Sequence, residues 1–227
     1  FKKWASAEDM WALGWFKHDW AEAIVPAKVD KSGSIVTYTN KGYYVEKDRR
    51  VKFFNMLEEI DAPGEWYLDR QSGIMYLIPP EGMAQSENIV FNSFNKNMIN
   101  INGAQNINIV GIRFANTRKC GLYVENSKNV VIDDCELTGI GDTAVTFISS
   151  TDSGIKNSYI HDVGSKGVTL NSGDRQTLTP GNLFCDNCHI EAFMRIKRTY
   201  APGISMGGVG NRASHNEIHD APHEAIG

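Results

Sequence analysis

The sequence predicts an all-β fold, a right-handed parallel β-helix preceded by a small β-rich domain. Three observations carry this expectation. Apolar residues recur every 23 positions, polar residues alternate with them inside each short run, and turn-forming residues keep the same register. The apolar columns are Phe91, Phe114, Leu137, Ile160; then Ile99, Leu122, Val145, Val168; then Ile101, Val124, Phe147, Leu170; and then Ile109, Ile132, Ile155, Cys185. A short strand cannot bury such a face alone, so successive coils must stack through parallel ladders about 4.8 Å apart, like residue upon like. Asn106, Asn129, Asp152 and Asn182 fall together before one strand, where side-chain amides and carboxylates satisfy turn backbone coil after coil. The sequence lacks the motifs and helix-length segments of leucine-rich and ankyrin arrays. A right hand follows from the strong bias of parallel crossovers.

Composition divides the chain. All five tryptophans, Trp4, Trp11, Trp15, Trp20 and Trp66, precede residue 67, whereas asparagine crowds the stretch 88–129. We therefore expect a small β-rich domain over 1–80 and the β-helix over 81–227, with the boundary near Pro79-Pro80. Within the first, Ser34-Ile35-Val36-Thr37-Tyr38 alternates as a strand, 53–60 is read as a short helix, and Glu65–Leu68 turns through Ser72-Gly73 into Ile74–Leu77 as a hairpin. The tryptophans are expected in that domain's core rather than as a sugar-stacking platform.

The chain has 227 residues, 41% of them hydrophobic and 22% charged, enough for a packed core. A net charge of −4 without a Lys/Arg cluster argues against nucleic acid, and no apolar run approaches a membrane span. The absence of an initial Met and the apolar end at Ala225-Ile226-Gly227 suggest a fragment whose further coils, present in the parent, would cover an open ladder. Cys185 and Cys188 form a lone C-x-x-C, but Cys185 stands in an aliphatic column, so buried small hydrophobe is the expected role. Cys135 and Cys188 are two coils apart, too far for a disulfide.

The repeat breaks twice. Leu170 to Ile190 takes 20 residues where Val124 to Leu137 takes 13, which adds a loop around Asn171–Gly181. Ile190 to Ile204 takes 14 where Phe114 to Leu122 takes 8, which adds another around Met194–Pro202. Long charged loops on a rigid scaffold are where binding and catalysis concentrate. Between them an outward column of Tyr123, Thr146, Thr169 and Ser205 would form the floor of a groove. Asp174 and Asp220 are expected to face each other across it at roughly 7 to 10 Å, the spread of a strand about three residues wide, with Asp162 as substitute. Two carboxyls at that separation suit glycosidic hydrolysis with inversion, one assisting the leaving oxygen and one activating water. Arg175, Arg198, His161, Glu191, His219 and His223 would hold an acidic sugar or its hydroxyls, and Tyr200 would stack on a ring. No cofactor and no metal site is called for.

The runs Gly173-Asp174-Arg175 to Gly181, Arg198-Thr199-Tyr200 with Pro202-Gly203-Ile204, and Gly208–Arg212 through Ser214-His215-Asn216-Glu217-Ile218-His219-Asp220-Ala221-Pro222-His223 resemble bacterial right-handed β-helix proteins, with glycoside hydrolase family 141 as the nearest characterised group. Leu57–Asp69 resembles the segment by which the insertion domain of such proteins returns to the helix. The resemblance spans most of the chain. It implies a secreted or periplasmic protein of polysaccharide degradation and carbohydrate metabolism, a glycoside hydrolase acting on a complex polysaccharide or oligosaccharide, with the isolated fragment inactive or weak. Two rivals stand beside it. A polysaccharide lyase of uronate-containing glycan would need clustered carboxylates for calcium and a Lys or Arg base, yet Lys156 separates Asp133 from Asp186 in their outward column. A non-catalytic glycan-binding β-helix would use the flat surface of the solenoid alone.

Overall fold

The computed structural model describes residues 2–37, 46–83 and 89–227. The chain forms two compact units, 1–90 and 91–227. No helix of the described residues is long and apolar enough to cross a membrane.

The first unit contains a four-stranded sheet in the order Ile35–Thr37, Ala23–Val29, Trp11–Gly14, Val51–Phe54, antiparallel throughout. Strict alternation builds it. Ala12 and Phe16 are buried with Met10, Val25, Ala27 and Met56, whereas Trp11, Leu13 and Trp15 occupy the alternate positions. The tryptophans thus do not form the core as expected. All five are at least partly exposed, and Trp20 and Trp66 are half exposed. The expected helix over 53–60 is also corrected. Val51–Phe54 is a strand paired with Trp11–Gly14, and only Leu57–Glu59 makes a 3-10 turn. Two aromatic residues and a valine favour the pleat there. The hairpin forms as read, Trp66–Asp69 against Ile74–Leu77, with the Asp69 carboxylate accepting from the Gln71 and Ser72 amides. Tyr38, the end of the expected alternating strand, lies outside the described residues.

The second unit is a parallel β-helix with three sheets among the described residues. The first sheet stacks Ile99–Asn102, Leu122–Glu125, Val145–Ile148, Val168–Asp174 and Ile204–Gly208. The second stacks Gln105–Val110, Lys128–Asp133, Gly154–Lys156, Phe184–Asp186 and Arg212–Ser214. The third stacks Arg113–Thr117, Glu136–Ile140, Tyr159–Val163, His189–Glu191 and Glu217–His219. The registers pair Ile99, Leu122, Val145, Val168 and Ile204 in succession, and likewise Ile109, Ile132, Ile155 and Cys185. Leu122, Val145, Val168, Ile132, Ile155 and Cys185 are fully buried. Phe91 departs from its column, being 61% exposed and outside any strand. Coil spacing is kept at Phe94, whose carbonyl accepts from the Arg118 amide, but among the described residues of this unit the first strand is Ile99–Asn102.

Corners between sheets require left-handed backbone. Asn106, Asn129, Asp152 and Asn182 have φ between 52° and 57°, and side chains link them in pairs, Asn129 to Asn106 at 2.8 Å and Asn182 to Asp152 at 2.9 Å. Asn and Asp tolerate this region best among residues with a Cβ, which explains the polar register seen in the sequence.

Candidate active site

The two insertions open the coil at opposite ends of the same sheet. The first is a hairpin, in which Gly173 and Asp174 pair with Pro180 and Thr179. The second only partly protrudes. Phe193, Met194 and Ala201 join the core, and Arg195, Ile196, Lys197, Arg198 and Tyr200 are exposed. Between them the outward column runs Tyr123, Thr146, Thr169, Ser205 as expected.

The shelf is wider than expected, and Asp174 and Asp220 adjoin it at opposite ends. The ladder from Val168–Ile204 to Ser172–Gly208 runs four steps, about 13 Å, before Asp174 is reached, whereas Asp220 precedes that sheet on the other side. Asp174 also has local work. Its Oδ1 accepts from the Gln176 amide at 2.8 Å and the Thr177 amide at 3.4 Å, and these bonds hold its carboxyl below the ordinary range. It caps its turn as a carboxylate, which suits the base of an acid and base pair rather than the acid. Arg175 donates to the Gly208 carbonyl at 3.5 Å.

Asp162 and Asp220 occupy equivalent left-handed corners of the third sheet, both at φ 53°. Asp162 accepts from Arg195 at 2.6 Å, is bonded to His161 Nδ1 at 2.9 Å, and lines a cleft of about 400 Å³ with Thr117, Arg118, Gly141 and Ile196. Asp220 is bonded to His219 Nδ1 at 3.0 Å.

The third sheet's outer face carries a continuous polar array. Arg113 donates to Glu136 at 2.9 Å, and Glu136 meets His161 Nε2 at 3.1 Å. Those two partners, His161 first, hold the Glu136 carboxyl below its ordinary value. Tyr159 stacks on His161 with ring centroids 4.3 Å apart and donates its hydroxyl to Glu191, which, with burial, pushes its pKa up to about 12. His161 and His219 flank Glu191 on successive rungs as expected, but His161 turns to Glu136 and Asp162, and His189 takes the place beside Glu191.

At the entrance to the first sheet Lys166 was not anticipated. It is partly buried and donates to Ser205 Oγ at 3.1 Å on the shelf floor. Burial lowers its pKa and Lys197 adds to the effect, opposed by Asp142 and Glu224. The Glu224 carboxylate is 3.3 Å from His223, whose ring meets Tyr200 at 5.6 Å. A signal for Lys166 was present: it lies one coil, 23 residues, after Thr143 at the start of a shelf strand. His189-x-Glu191 likewise announced itself, because residues two apart on a strand share one face.

The cysteines follow their columns. All four are free and buried, and Ser158 stands between Cys135 and Cys188. Asp133, Lys156 and Asp186 share an outward column, with Lys156 3.2 Å from Asp133.

Residues 97–227 match the family model described as "Right handed beta helix region". The chain belongs to the right-handed β-helix family. A solved structure described as "Glycoside hydrolase" superposes on this β-helix protein with a TM-score of 0.60 at 12% identity. The alignment covers 99% of this chain and 62% of the other, so the β-helix protein spans less than two thirds of that structure's length. No curated protein matches it. At this identity the likeness establishes shared architecture, in line with the resemblance read from the motifs.

Proposed function

We propose that this β-helix protein is part of a secreted or periplasmic bacterial enzyme that hydrolyses glycosidic bonds in a complex polysaccharide, with the glycan laid along the shelf of Thr146, Thr169 and Ser205. The observation that carries the reading is Lys166 on Ser205, a partly buried cation on a polar floor with Asp142 on one side along the stack and Glu224 on the other. Such a floor offers the Thr169 and Ser205 hydroxyls and an ammonium to sugar oxygens, whereas Thr146, in register with them, is buried. Two carboxylates acting on one lysine supply the residue types that acid and base steps require. Tyr200 and His223 present rings at the wall where a sugar would stack. The neighbour described as a glycoside hydrolase supports the choice of reaction class. We add Glu224 and Asp142 to Asp174, Asp220 and Asp162 as the catalytic carboxylates of this face; the register sets Glu224 and Asp142 three rungs apart, so each serves with one of those acids rather than with the other. In the parent protein, acting on a substrate found by a polysaccharide panel, Asp142→Asn and Glu224→Gln should each lower kcat at least about 100-fold. A loss of less than about tenfold in both removes the assignment.

Lys166 also favours a second reading. A lysine whose pKa is lowered by burial is a suitable base for abstracting a proton beside a uronate carboxylate, the opening step of a lyase. A product that absorbs in the ultraviolet, lost in Lys166→Met, would select elimination. Reducing ends formed without that absorbance select hydrolysis.

A further inference from the structure

We propose that His189, Glu191 and His219 form a binding site for a divalent transition-metal ion of the zinc class on the outer face of the third sheet. His189 and Glu191 alternate on one strand and so point the same way, and Glu191 pairs with His219 on the next coil. Their donor atoms converge. The two Nε2 atoms are 2.9 Å apart, and each lies 3.6 Å from Glu191 Oε2. The point equidistant from the corners of a triangle with sides 2.9, 3.6 and 3.6 Å is about 2.0 Å from each, the bond length zinc makes to imidazole nitrogen and carboxylate oxygen.

The surroundings prepare the ligands. The Asp220 carboxylate sits 3.0 Å from His219 Nδ1, so the ring's proton is placed there and its Nε2 lone pair faces the centre. The other Glu191 oxygen accepts from the Tyr159 hydroxyl, which orients the carboxylate. Glu217 Oε1, 3.7 Å from His219 Nε2, adds negative charge at the rim. Two imidazoles and one carboxylate are borderline donors that suit zinc rather than calcium or magnesium, and three ligands leave a fourth position for water or another oxygen. An ion here would also join the fourth and fifth coils. Without one, the two Nε2 atoms lie within hydrogen-bond distance of each other at 2.9 Å, and the experiment separates the two states.

The 227-residue chain, stripped with chelator, is titrated with zinc chloride alone by calorimetry and followed by melting. The expected result is one ion per chain and, at a hundredfold excess over Kd, a rise of roughly 5 °C in Tm. His189→Gln with His219→Gln should abolish both, and Asp220→Asn should weaken binding about 10- to 100-fold. Cobalt(II) added to the unmodified chain should give the visible d–d bands of a low-coordinate nitrogen and oxygen site, a readout that needs no variant. Absence of zinc binding, absence of cobalt bands, calcium binding in preference to zinc, or undiminished binding by a folded double variant would each overturn the proposal.

Discussion

Asn129 shows how single residues set the geometry of this solenoid. Its φ of 54° costs a residue with a branched Cβ about 1–2 kcal/mol, and its side-chain amide bonds to Asn106 on the coil before. Asn129→Val should therefore destabilise the protein by about 2 kcal/mol or more. Asn129→Gly keeps the corner and loses only the bond, costing about 1 kcal/mol. Urea unfolding of the pair checks this order, and equal losses would contradict it. The same reasoning recasts Asp162 and Asp220. Their equivalence was legible from the match of Ile160-His161-Asp162 with Ile218-His219-Asp220, but which partner each would choose was not, since His161 and His219 can rotate towards several carboxylates. Cys135, Cys185 and Cys188 were legible from their columns; Cys120, which was not read there, is buried too, and burial pushes its thiol up to about 12. None of the four should react with a thiol reagent in the native protein, and all should do so in denaturant. Prompt labelling of any one without unfolding would contradict the packing.

At the scale of elements, the strands of the solenoid were readable because a 23-residue period and two-residue alternation constrain the same positions. The tryptophan-rich unit has no repeat, so the end of its strand Val51–Phe54 was read as the start of a helix over 53–60. Phe147, fully buried in the first sheet's column between Val124 and Leu170, shows what the stacking is worth. Phe147→Ala should cost about 3–5 kcal/mol, measured by urea unfolding, and a loss under about 1 kcal/mol would mean the column is not packed. The outer faces contribute differently. Asp133 is held below its ordinary value by Asn157, and Asp186 by His215 and Ser214. A lowered folded-state pKa adds stability that is present above the unfolded value, about 4, and is lost as pH falls through the folded value. Thermal stability should therefore decline below about pH 4, and a flat profile down to about pH 2 would contradict these pairings.

For the whole molecule, function depends on how two insertions are placed relative to an otherwise regular stack. Counting residues located both, and predicted the outward column Tyr123, Thr146, Thr169, Ser205 that the structure bears out. Counting could not give the width of the shelf, because hydrogen bonding extends the Val168–Asp174 strand into its own hairpin. The sites now proposed, Lys166 with its two carboxylates and the His189, Glu191, His219 cluster, all depend on coils staying in register across those insertions.

That register can be tested by disulfide trapping. Thr169 and Ser205 are 36 residues apart in sequence yet face each other on adjacent rungs about 4.8 Å apart, whereas Thr146 and Ser205 are separated by two rungs, about 10 Å. Thr169→Cys with Ser205→Cys should close a disulfide under mild oxidation, and Thr146→Cys with Ser205→Cys should not. Failure of the first pair in folded protein, or closure of the second alone, would contradict the register on which the proposed chemistry stands.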